Sequence, residues 1–171
     1  MSPSLNNDVK SVLSARQDGI VAVLAIGNTL RQDDGIGSYI AGKIKSGRGY
    51  HIFDAGDRPE NFIEKIISIS PAAIVILDAA NFKGIPGEIR VIPEEAIATS
   101  TISTHTIPPG FIYALLREGI KVPIAFVGIQ FKNIDFGEEL STEVKRAGDE
   151  IIRFIEEQQS RSSSKIQDEP G

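Results

Sequence analysis

The sequence predicts a three-layered α/β fold, in which a mostly parallel, twisted sheet of about five strands carries helices on both faces. Segments that are apolar along their whole length recur at residues 20–26, 72–77 and 122–129. Such segments are typical of strands buried on both faces, as in parallel sheets. Stretches of helical period separate them, and the first carries Ile36, Ile40 and Ile44 on one face. This alternation of strand and helix favours the layered architecture.

The amino-terminal half of the chain adds further elements around these strands. A short helix is predicted from Asn7, with its apolar residues on one face, before the first strand. A turn rich in serine and glycine leads to a second strand at residues 50–54. Pro59 begins the next helix, because its fixed φ suits the first helical position. The third strand, residues 72–77, follows that helix.

The carboxyl-terminal half is predicted to complete the sheet. Residues 79–87, marked by glycine and proline, form a loop. Residues 88–92 alternate less clearly, so we expect a short, exposed edge strand there, followed by one helical turn at residues 94–98. A pair of prolines begins the next helix, which Gly119 ends. After the last strand, a closing helix is predicted over residues 139–157, with an apolar face directed inward.

The chain of 171 residues is predicted to form a single α/β domain over residues 1–158. A domain of this size buries about 70% of its unfolded surface, which suffices for a substantial core. The remaining residues, 159–171, are polar and include a serine-rich run. We therefore predict that they form a disordered tail.

Composition excludes several classes of protein. The absence of cysteine excludes disulfides, cysteine nucleophiles and thiolate-ligated metal sites. The net charge of −5 weighs against binding to nucleic acid or to anionic membranes. The amino terminus lacks the pattern of a signal peptide, and no apolar run approaches the roughly 18 residues of a membrane span. We therefore expect a soluble, cytoplasmic, monomeric protein without nucleic-acid or membrane partners.

The stretch VAVLAIGNTLRQDDGIG, residues 21–37, combines a buried strand, a tight loop and an acidic helix start. Asp33 is predicted to be the N-cap of that helix and Asp34 to lie in its first turn, where exposed backbone N–H groups favour negative charge. Capping by both residues is the structural alternative to a functional role. The stretch matches neither the phosphate-loop pattern nor the dinucleotide-binding pattern. A pair of carboxylates suits a metal cation or proton transfer instead.

Acidic residues end or follow the first three predicted strands, namely Asp34, Asp54 and Asp78. Doubly wound sheets commonly place the first strand between the second and third, and their sites lie in a crevice at the carboxyl edge. We therefore expect Asp34 and Asp78 to flank the crevice between the first and third strands. Folding does not require an acid at the end of an apolar strand, so a functional role is favoured for Asp78. Asp54 is equally suited to fixing the turn at Gly56.

The two histidines differ in their surroundings. His51 begins a strand and is interpreted as a packed surface residue. His105 lies in the polar loop S-T-H-T, where a hydrogen bond to the backbone is the alternative to a functional role. Together with Asp34 and Asp78, His105 gives a set of three ligands suited to a divalent ion such as nickel, zinc or manganese. Without thiolates, such a site is expected to bind metal with modest affinity, or to act on a metal that arrives with the substrate.

Four motifs occur in order along the chain: G-N-T-L-R-Q-D-D-G-I-G at residues 27–37, D-A-G-D-R-P-E-N from Asp54, V-I-L-D-A-A-N ending at Asn81, and S-T-H-T-I-P from Ser103. They resemble the motifs of the [NiFe]-hydrogenase maturation endopeptidases, especially the hydrogenase-3, HycI-like type. The opening motif of that family reads G-N-x-L-x-x-D-[DE]-G-x-G, which residues 27–37 match fully. V-G-I-Q is similar to the last strand of the family, and the resemblance covers residues 20–155.

The resemblance implies a phosphorylase/hydrolase-like fold and a nickel-dependent endopeptidase. Such an enzyme removes the C-terminal extension of a [NiFe]-hydrogenase large-subunit precursor after nickel has been inserted. The precursor is therefore the expected partner, and Ni²⁺ is expected to be carried by it rather than held tightly by this chain. The metal-contacting and catalytic residues of the family fall on Asp34, Asp78 and His105. Other branches have Glu where this chain has Asp34.

Two other functions remain open at this point. The first is a nickel-checkpoint or chaperone module that binds the precursor without hydrolysing it. The second is a nucleotide-binding α/β domain, which the missing phosphate loop disfavours. For the peptidase, the residues leave open whether a metal polarises the scissile carbonyl, a metal activates water, or a carboxylate serves as general base.

Overall fold

The computed structural model describes residues 5–98 and 107–167. Its centre is a five-stranded sheet in the order β2-β1-β3-β5-β4, in which β4 is antiparallel to β5 and every other pair is parallel. The strands are β1 (Val21–Ile26), β2 (Tyr50–Gly56), β3 (Ala73–Ala80), β4 (Ile89–Ile92) and β5 (Ile124–Gln130). The predicted mostly parallel sheet, its 2-1-3 order and its short edge strand are confirmed.

Helices flank the sheet in the order that the sequence predicts. They are α1 (Asn7–Leu13), α2 (Ile36–Lys43), α3 (Ile63–Ser68), α4 (Glu94–Ala98), α5 (Pro109–Gly119) and α6 (Thr142–Gln167). Two 3₁₀ turns, Gln32–Gly35 and Pro59–Phe62, lead into α2 and α3. Proline lies in the first turn of the Pro59–Phe62 segment and of α5, as expected from its fixed φ.

The core consists of two apolar layers, one on each face of the sheet. On the first face, α1, α2 and α6 pack against β-strand side chains such as Val23, Val75 and Val127. On the second face, α3, α4 and α5 pack against the alternate side chains, such as Leu24 and Ile76. Because both faces are covered, β1 and β3 are buried along their whole length. The three-layered fold class is therefore confirmed.

Two strands extend further than the sequence predicts. β2 continues to Gly56 and β3 to Ala80, so Asp54 and Asp78 lie inside strands rather than at their ends. The extension of β3 has a physical reason, since the small residues Ala79 and Ala80 are completely buried and pair with β5.

Two predictions about helix boundaries are corrected. Asp33 is not an N-cap, because residues 32–35 form a 3₁₀ turn and Gly35 precedes α2 without a side-chain cap. The helix α6 runs to Gln167, through residues 159–167 of the predicted disordered tail. Side chains at the start of that segment contact the body of the protein, since Gln159 Nε2 donates to the carbonyls of Lys45 (2.8 Å) and Gly47 (3.0 Å). Across residues 5–98 and 107–167, no helix combines the length and apolar character that crossing a bilayer requires.

Candidate active site

The strands β1 and β3 stop pairing at the carboxyl edge of the sheet, and the place where they part is here called the crevice. Pairing of β1 with β3 ends at Ala25–Leu77, whereas β3 remains paired with β5 as far as Ala80–Gln130. The residue after β1 remains hydrogen-bonded to β2 instead, since Gly27 N donates to the carbonyl of Gly56 at 2.8 Å. This is the switch point of the sheet, where open α/β folds place their ligands and substrates.

Asp78 is the first residue of β3 beyond its pairing with β1. It is completely buried and lies opposite Gly128 of β5 in the register of the sheet. The two-residue period of a strand puts it on the same face as Ile76 and Ala80, which belong to the second core layer. Asp78 therefore lies next to the end of β1 at the carboxyl edge, and its part in the chemistry stays a prediction.

Asp34 lies in the 3₁₀ turn Gln32–Gly35, at the tip of β1, and is 1% exposed. Its carbonyl accepts a hydrogen bond from Asn28 N at 3.0 Å, which folds the turn back over the end of the strand. The turn also contacts β3. Asp34 thus lies at the end of β1, on an element that contacts the strand carrying Asp78.

Glycines of the motif allow this close approach of backbone to backbone. A Cβ atom added to Gly37 would lie 2.1 Å from the carbonyl oxygen of Ile26, and one added to Gly27 would lie 2.5 Å from that of Asp34. A side chain at either position would push the turn or the start of α2 away from β1. The positions of the glycines in the motif therefore have a steric cause. The close packing that they allow fixes the position of Asp34.

Asp33 anchors a distant loop instead of capping a helix. Its carboxylate accepts hydrogen bonds from the backbone N–H groups of Lys132 (2.8 Å), Asn133 (2.9 Å) and Ser141 (2.7 Å), and from the Ser141 hydroxyl. Charge-assisted hydrogen bonds of this kind offset the desolvation of a fully buried carboxylate. Residues 131–141, which connect β5 to α6, are thereby tied to the turn that carries Asp34.

Two other residues singled out in the sequence lie away from the crevice. Asp54 is exposed and accepts a hydrogen bond from the Ser38 hydroxyl at 2.8 Å, which joins β2 to α2. His51 pairs with Ala22 in the amino half of β2 and stacks on Phe53 with a ring-centroid distance of 4.4 Å. The interpretation of His51 as a packed residue is confirmed.

His105, the third predicted ligand, lies outside the described residues. Within residues 5–98 and 107–167, no three histidine, aspartate or glutamate side chains are grouped so that they could hold a metal ion. The described part therefore contributes two buried carboxylates to the crevice, and the predicted set of three ligands is complete only with His105.

Two polar residues at the same edge were not selected from the sequence. Gln130 ends β5 and is 6% exposed, and its Oε1 accepts hydrogen bonds from Phe82 N (3.0 Å) and Gly84 N (3.1 Å), which orders the loop after β3. Glu60, in the turn after β2, has a buried Oε2 that forms no hydrogen bond with any described residue. A polar residue at the end of an apolar strand was the signal that singled out Asp78 in the sequence. Gln130 shows the same signal at the end of β5.

Buried polar side chains of the described chain are thus concentrated at one edge of the sheet. Asp33, Asp34, Asp78 and Gln130 are all within the turns or strand ends at the carboxyl side of β1, β3 and β5. Asp33 and Gln130 hold loops, and Asp34 and Asp78 are the two other buried polar residues of this group. Two carboxylates at a crevice can bind a divalent cation through oxygen or transfer protons.

Comparison with known proteins identifies the family of this chain. The model of the hydrogenase maturation protease family HycI matches residues 38–158. The matched region includes Asp78 and His105, and Asp34 lies just before it. The hydrogenase 3 maturation protease of Escherichia coli K12 is 30% identical over 137 residues, covering 78% of this chain and 87% of the relative.

Solved structures show the same architecture. The crystal structure of a hydrogenase 3 maturation protease superposes with a TM-score of 0.71 at 30% identity, covering 79% of this chain and 88% of that one. The [NiFe] hydrogenase maturation protease HycI of Thermococcus kodakarensis superposes with a TM-score of 0.74 at 24% identity, covering 88% and 99% of the two chains, and supports the fold. The chain therefore belongs to the hydrogenase maturation protease family.

Proposed function

We propose that this protein is a nickel-dependent endopeptidase that removes the C-terminal extension of a [NiFe]-hydrogenase large-subunit precursor after nickel insertion. Asp34, Asp78 and His105 are its proposed metal-contacting and catalytic residues. The observation that carries the proposal is the burial of Asp34 and Asp78 at the switch point of the sheet, in a chain that belongs to a family of hydrogenase maturation proteases.

Electrostatics supports a cationic ligand at this place. Burying a carboxylate costs free energy unless hydrogen bonds or a positive charge compensate. A divalent cation bound by Asp34 and Asp78 would compensate the negative charge of both carboxylates. Carboxylate oxygens together with an imidazole suit nickel, zinc or manganese.

The proposed source of the nickel is the substrate. Three ligands without a thiolate form a small set, so the free enzyme is expected to retain little metal after dialysis. When bound, the metal would polarise the scissile carbonyl or lower the pKa of a water molecule. A carboxylate of the pair would orient that water or accept its proton. Since both carboxylates are buried, the side chains that cover them have to move before a peptide can reach them.

Incubation of the purified protein with a nickel-loaded precursor tests the proposal. Mass spectrometry should detect a shortened large subunit and a released C-terminal peptide. The same precursor prepared without nickel should remain at full length, and metal analysis of the dialysed enzyme alone should find little nickel. Equal cleavage of the two precursors would contradict the nickel dependence.

The remaining alternative is a non-catalytic checkpoint module for the same precursor. It predicts a stable complex with the nickel-loaded precursor whose mass does not change with time. Formation of that complex without any cleavage, under conditions in which the precursor is cleaved by a related maturation protease, would favour the module over the enzyme.

A further inference from the structure

Strongly exposed apolar side chains are unevenly distributed over the molecule. The large ones among the described residues are Ile20 (39% exposed), Leu30 (53%), Ile85 (77%), Phe111 (53%) and Phe136 (88%). All except Ile20 lie at the carboxyl edge, in loops that follow parallel strands or in the first turn of α5. Single exposed apolar residues are common, but a concentration at the edge that carries the candidate site suggests a contact surface.

Phe136 is held out in solvent by an ordered loop. The Arg31 guanidinium donates to the carbonyl of Ile134 at 3.2 Å, and Asp33 N donates to the carbonyl of Asn133 at 3.0 Å. The carboxylate of Asp33 binds both ends of the same loop through its hydrogen bonds to residues 132, 133 and 141. Because the backbone of this loop is already ordered, covering the Phe136 side chain with a partner does not carry the additional entropy cost of ordering the loop.

Leu30 belongs to the same surface because backbone hydrogen bonds join the two loops. Gly137 N donates to the carbonyl of Leu30 at 3.0 Å, and Gln32 N donates to the carbonyl of Gly137 at 2.8 Å. The side chain of Gln32 also donates to the carbonyl of Phe136 at 3.4 Å. These contacts connect the Phe136 loop directly to the 3₁₀ turn that contains Asp34.

The charges around Phe136 are mostly negative, and the Arg31 guanidinium, which binds the carbonyl of Ile134, is a positive charge at the same loop. Asp135, Glu138 and Glu139 are exposed, and none of them forms an ion pair with a described residue. The nearest lysine in the sequence, Lys132, is paired with Glu143 at 2.9 Å, and its ammonium lowers the pKa of that carboxyl. The surface formed by Leu30, Phe136 and these three carboxylates, here termed the acidic rim, therefore combines apolar area with a net negative charge.

We propose that the acidic rim docks the large-subunit precursor through a segment in which an apolar side chain lies next to basic residues. This inference rests on the proposed function, because it takes the precursor as the partner. The apolar side chain would pack on Phe136 and Leu30, while the basic residues would face the three carboxylates. Aromatic anchors of this kind commonly carry most of the binding energy, and complementary charge speeds association.

A second copy of this chain is the less favourable occupant. A symmetric dimer through the rim would bring its own carboxylates together, and like charges across an interface disfavour association. A basic and apolar segment of the precursor avoids that repulsion. It would also be bound beside the turn that positions Asp34, so docking and cleavage would be adjacent.

Single-turnover cleavage, measured over a range of enzyme concentrations, tests the rim. Phe136→Ala should raise the half-saturating concentration about tenfold or more and leave the limiting rate within about twofold, since it removes binding but not chemistry. Neutralising the three acids as Asp135→Asn, Glu138→Gln and Glu139→Gln should remove most of the dependence of half-saturation on salt. Ile20→Ala, at the opposite edge of the sheet, is the matched control and should behave as wild type.

The outcomes separate the rim from the proposed function. An unchanged half-saturating concentration in Phe136→Ala, with an active wild type, would contradict docking at the rim. A change in the oligomeric mass of Phe136→Ala would identify the rim as a self-interface and also overturn the proposal. A wild-type protein that leaves the precursor uncut would contradict the proposed function; direct binding of the precursor, weakened by Phe136→Ala but not by Ile20→Ala, would then still support the rim.

Discussion

At the scale of single residues, two adjacent buried carboxylates have different tasks. Asp33 accepts hydrogen bonds from Lys132, Asn133 and Ser141, and so belongs to the framework of the edge. Asp34 lies in the turn that faces the crevice and is the one proposed to contact metal. The structure thus separates a structural from a proposed chemical role within the dipeptide.

This difference predicts that the same substitution destabilises the protein to different extents at the two positions. Asp33→Asn should lower the free energy of unfolding by about 2 kcal/mol, because an amide cannot accept at both of its heavy atoms and leaves buried N–H groups without partners. Asp34→Asn should lower it by less, because the side-chain shape is retained and the loop after β5 keeps its hydrogen bonds to Asp33. Urea unfolding of both variants measures the difference. Equal destabilisation would show that Asp34 is also a framework residue.

Sequence reasoning predicted the places of Asp34 and Asp78 in the sheet better than the role of their neighbour Asp33. Asp34 and Asp78 were placed at the crevice because strand order and the carboxyl edge follow from general rules of parallel sheets. The role of Asp33 could not be predicted, because its hydrogen-bond partners lie 99 to 108 residues away in the sequence. A local rule assigned it to an N-cap, whereas long-range contacts decide its environment.

At the scale of elements, helix α2 depends on one glycine and not on another. Gly37 faces the end of β1, with the carbonyl oxygen of Ile26 only 2.1 Å from the position of an added Cβ, whereas Gly42 has nothing within 4 Å. We predict that Gly37→Ala costs about 3 kcal/mol or more, since α2 would have to leave the strand. Gly42→Ala should stabilise by about 0.5–1 kcal/mol through helix propensity. Thermal unfolding of the pair checks this, and an equally tolerated Gly37→Ala would refute the close contact.

The closing helix α6 also differs from its prediction, since composition favoured a disordered tail from residue 159. Hydrogen bonds to the rest of the protein favour the helix there. Gln158 Oε1 accepts from Ala15 N at 3.1 Å, and Gln159 donates to the carbonyls of Lys45 and Gly47. Polar side chains that bind backbone groups elsewhere in the fold give no apolar periodicity. The sequence therefore lacked a signal for this extension.

Truncation measures the contribution of that extension. Removal of residues 158–171 should lower the melting temperature by several degrees, because it deletes the hydrogen bonds of Gln158 and Gln159, each worth about 1 kcal/mol. Removal of residues 168–171 alone should have no measurable effect on melting. If both truncations melt like the full chain, the contacts of Gln158 and Gln159 contribute nothing to stability.

At the scale of the whole molecule, two tyrosines connect separate parts of the first core layer. The Tyr39 hydroxyl donates to Asp149 at 2.7 Å and joins α2 to α6, while the Tyr50 hydroxyl donates to the carbonyl of Leu13 at 2.6 Å. Burial raises the pKa of Tyr39 to about 12, with a further contribution from the Asp149 carboxylate. Burial also raises the pKa of Tyr50.

Alkaline pH should therefore weaken the fold. The pKa of Tyr39 is higher in the folded state than the usual tyrosine value of 10.0. The stabilisation by Tyr39 is therefore complete below pH 10 and is lost as the pH rises towards 12. The difference in free energy of unfolding between wild type and Tyr39→Phe should accordingly shrink over this interval. Urea unfolding at a series of pH values provides the measurement, and a constant difference would contradict the linkage.

The overall architecture was the most predictable feature of the protein. Strands that are apolar throughout require cover on both faces, and that requirement alone implies a central sheet between two helical layers. Strand ends were less predictable, because residues such as Ala79 and Ala80 extend β3 through pairing with β5 that the local sequence does not encode. The site follows from this architecture, since it lies where pairing between β1 and β3 ends.

The most direct test of the central claim combines cleavage with stability in the same variants. Asp78→Asn and His105→Ala should each slow single-turnover cleavage of the nickel-loaded precursor by about a hundredfold or more, while their melting temperatures stay close to that of the wild type. His51→Ala, stacked on Phe53 away from the crevice, should retain cleavage. Near-wild-type cleavage by Asp78→Asn or His105→Ala, or a loss of cleavage only in proportion to unfolded protein, would contradict the assignment of these residues to the chemistry.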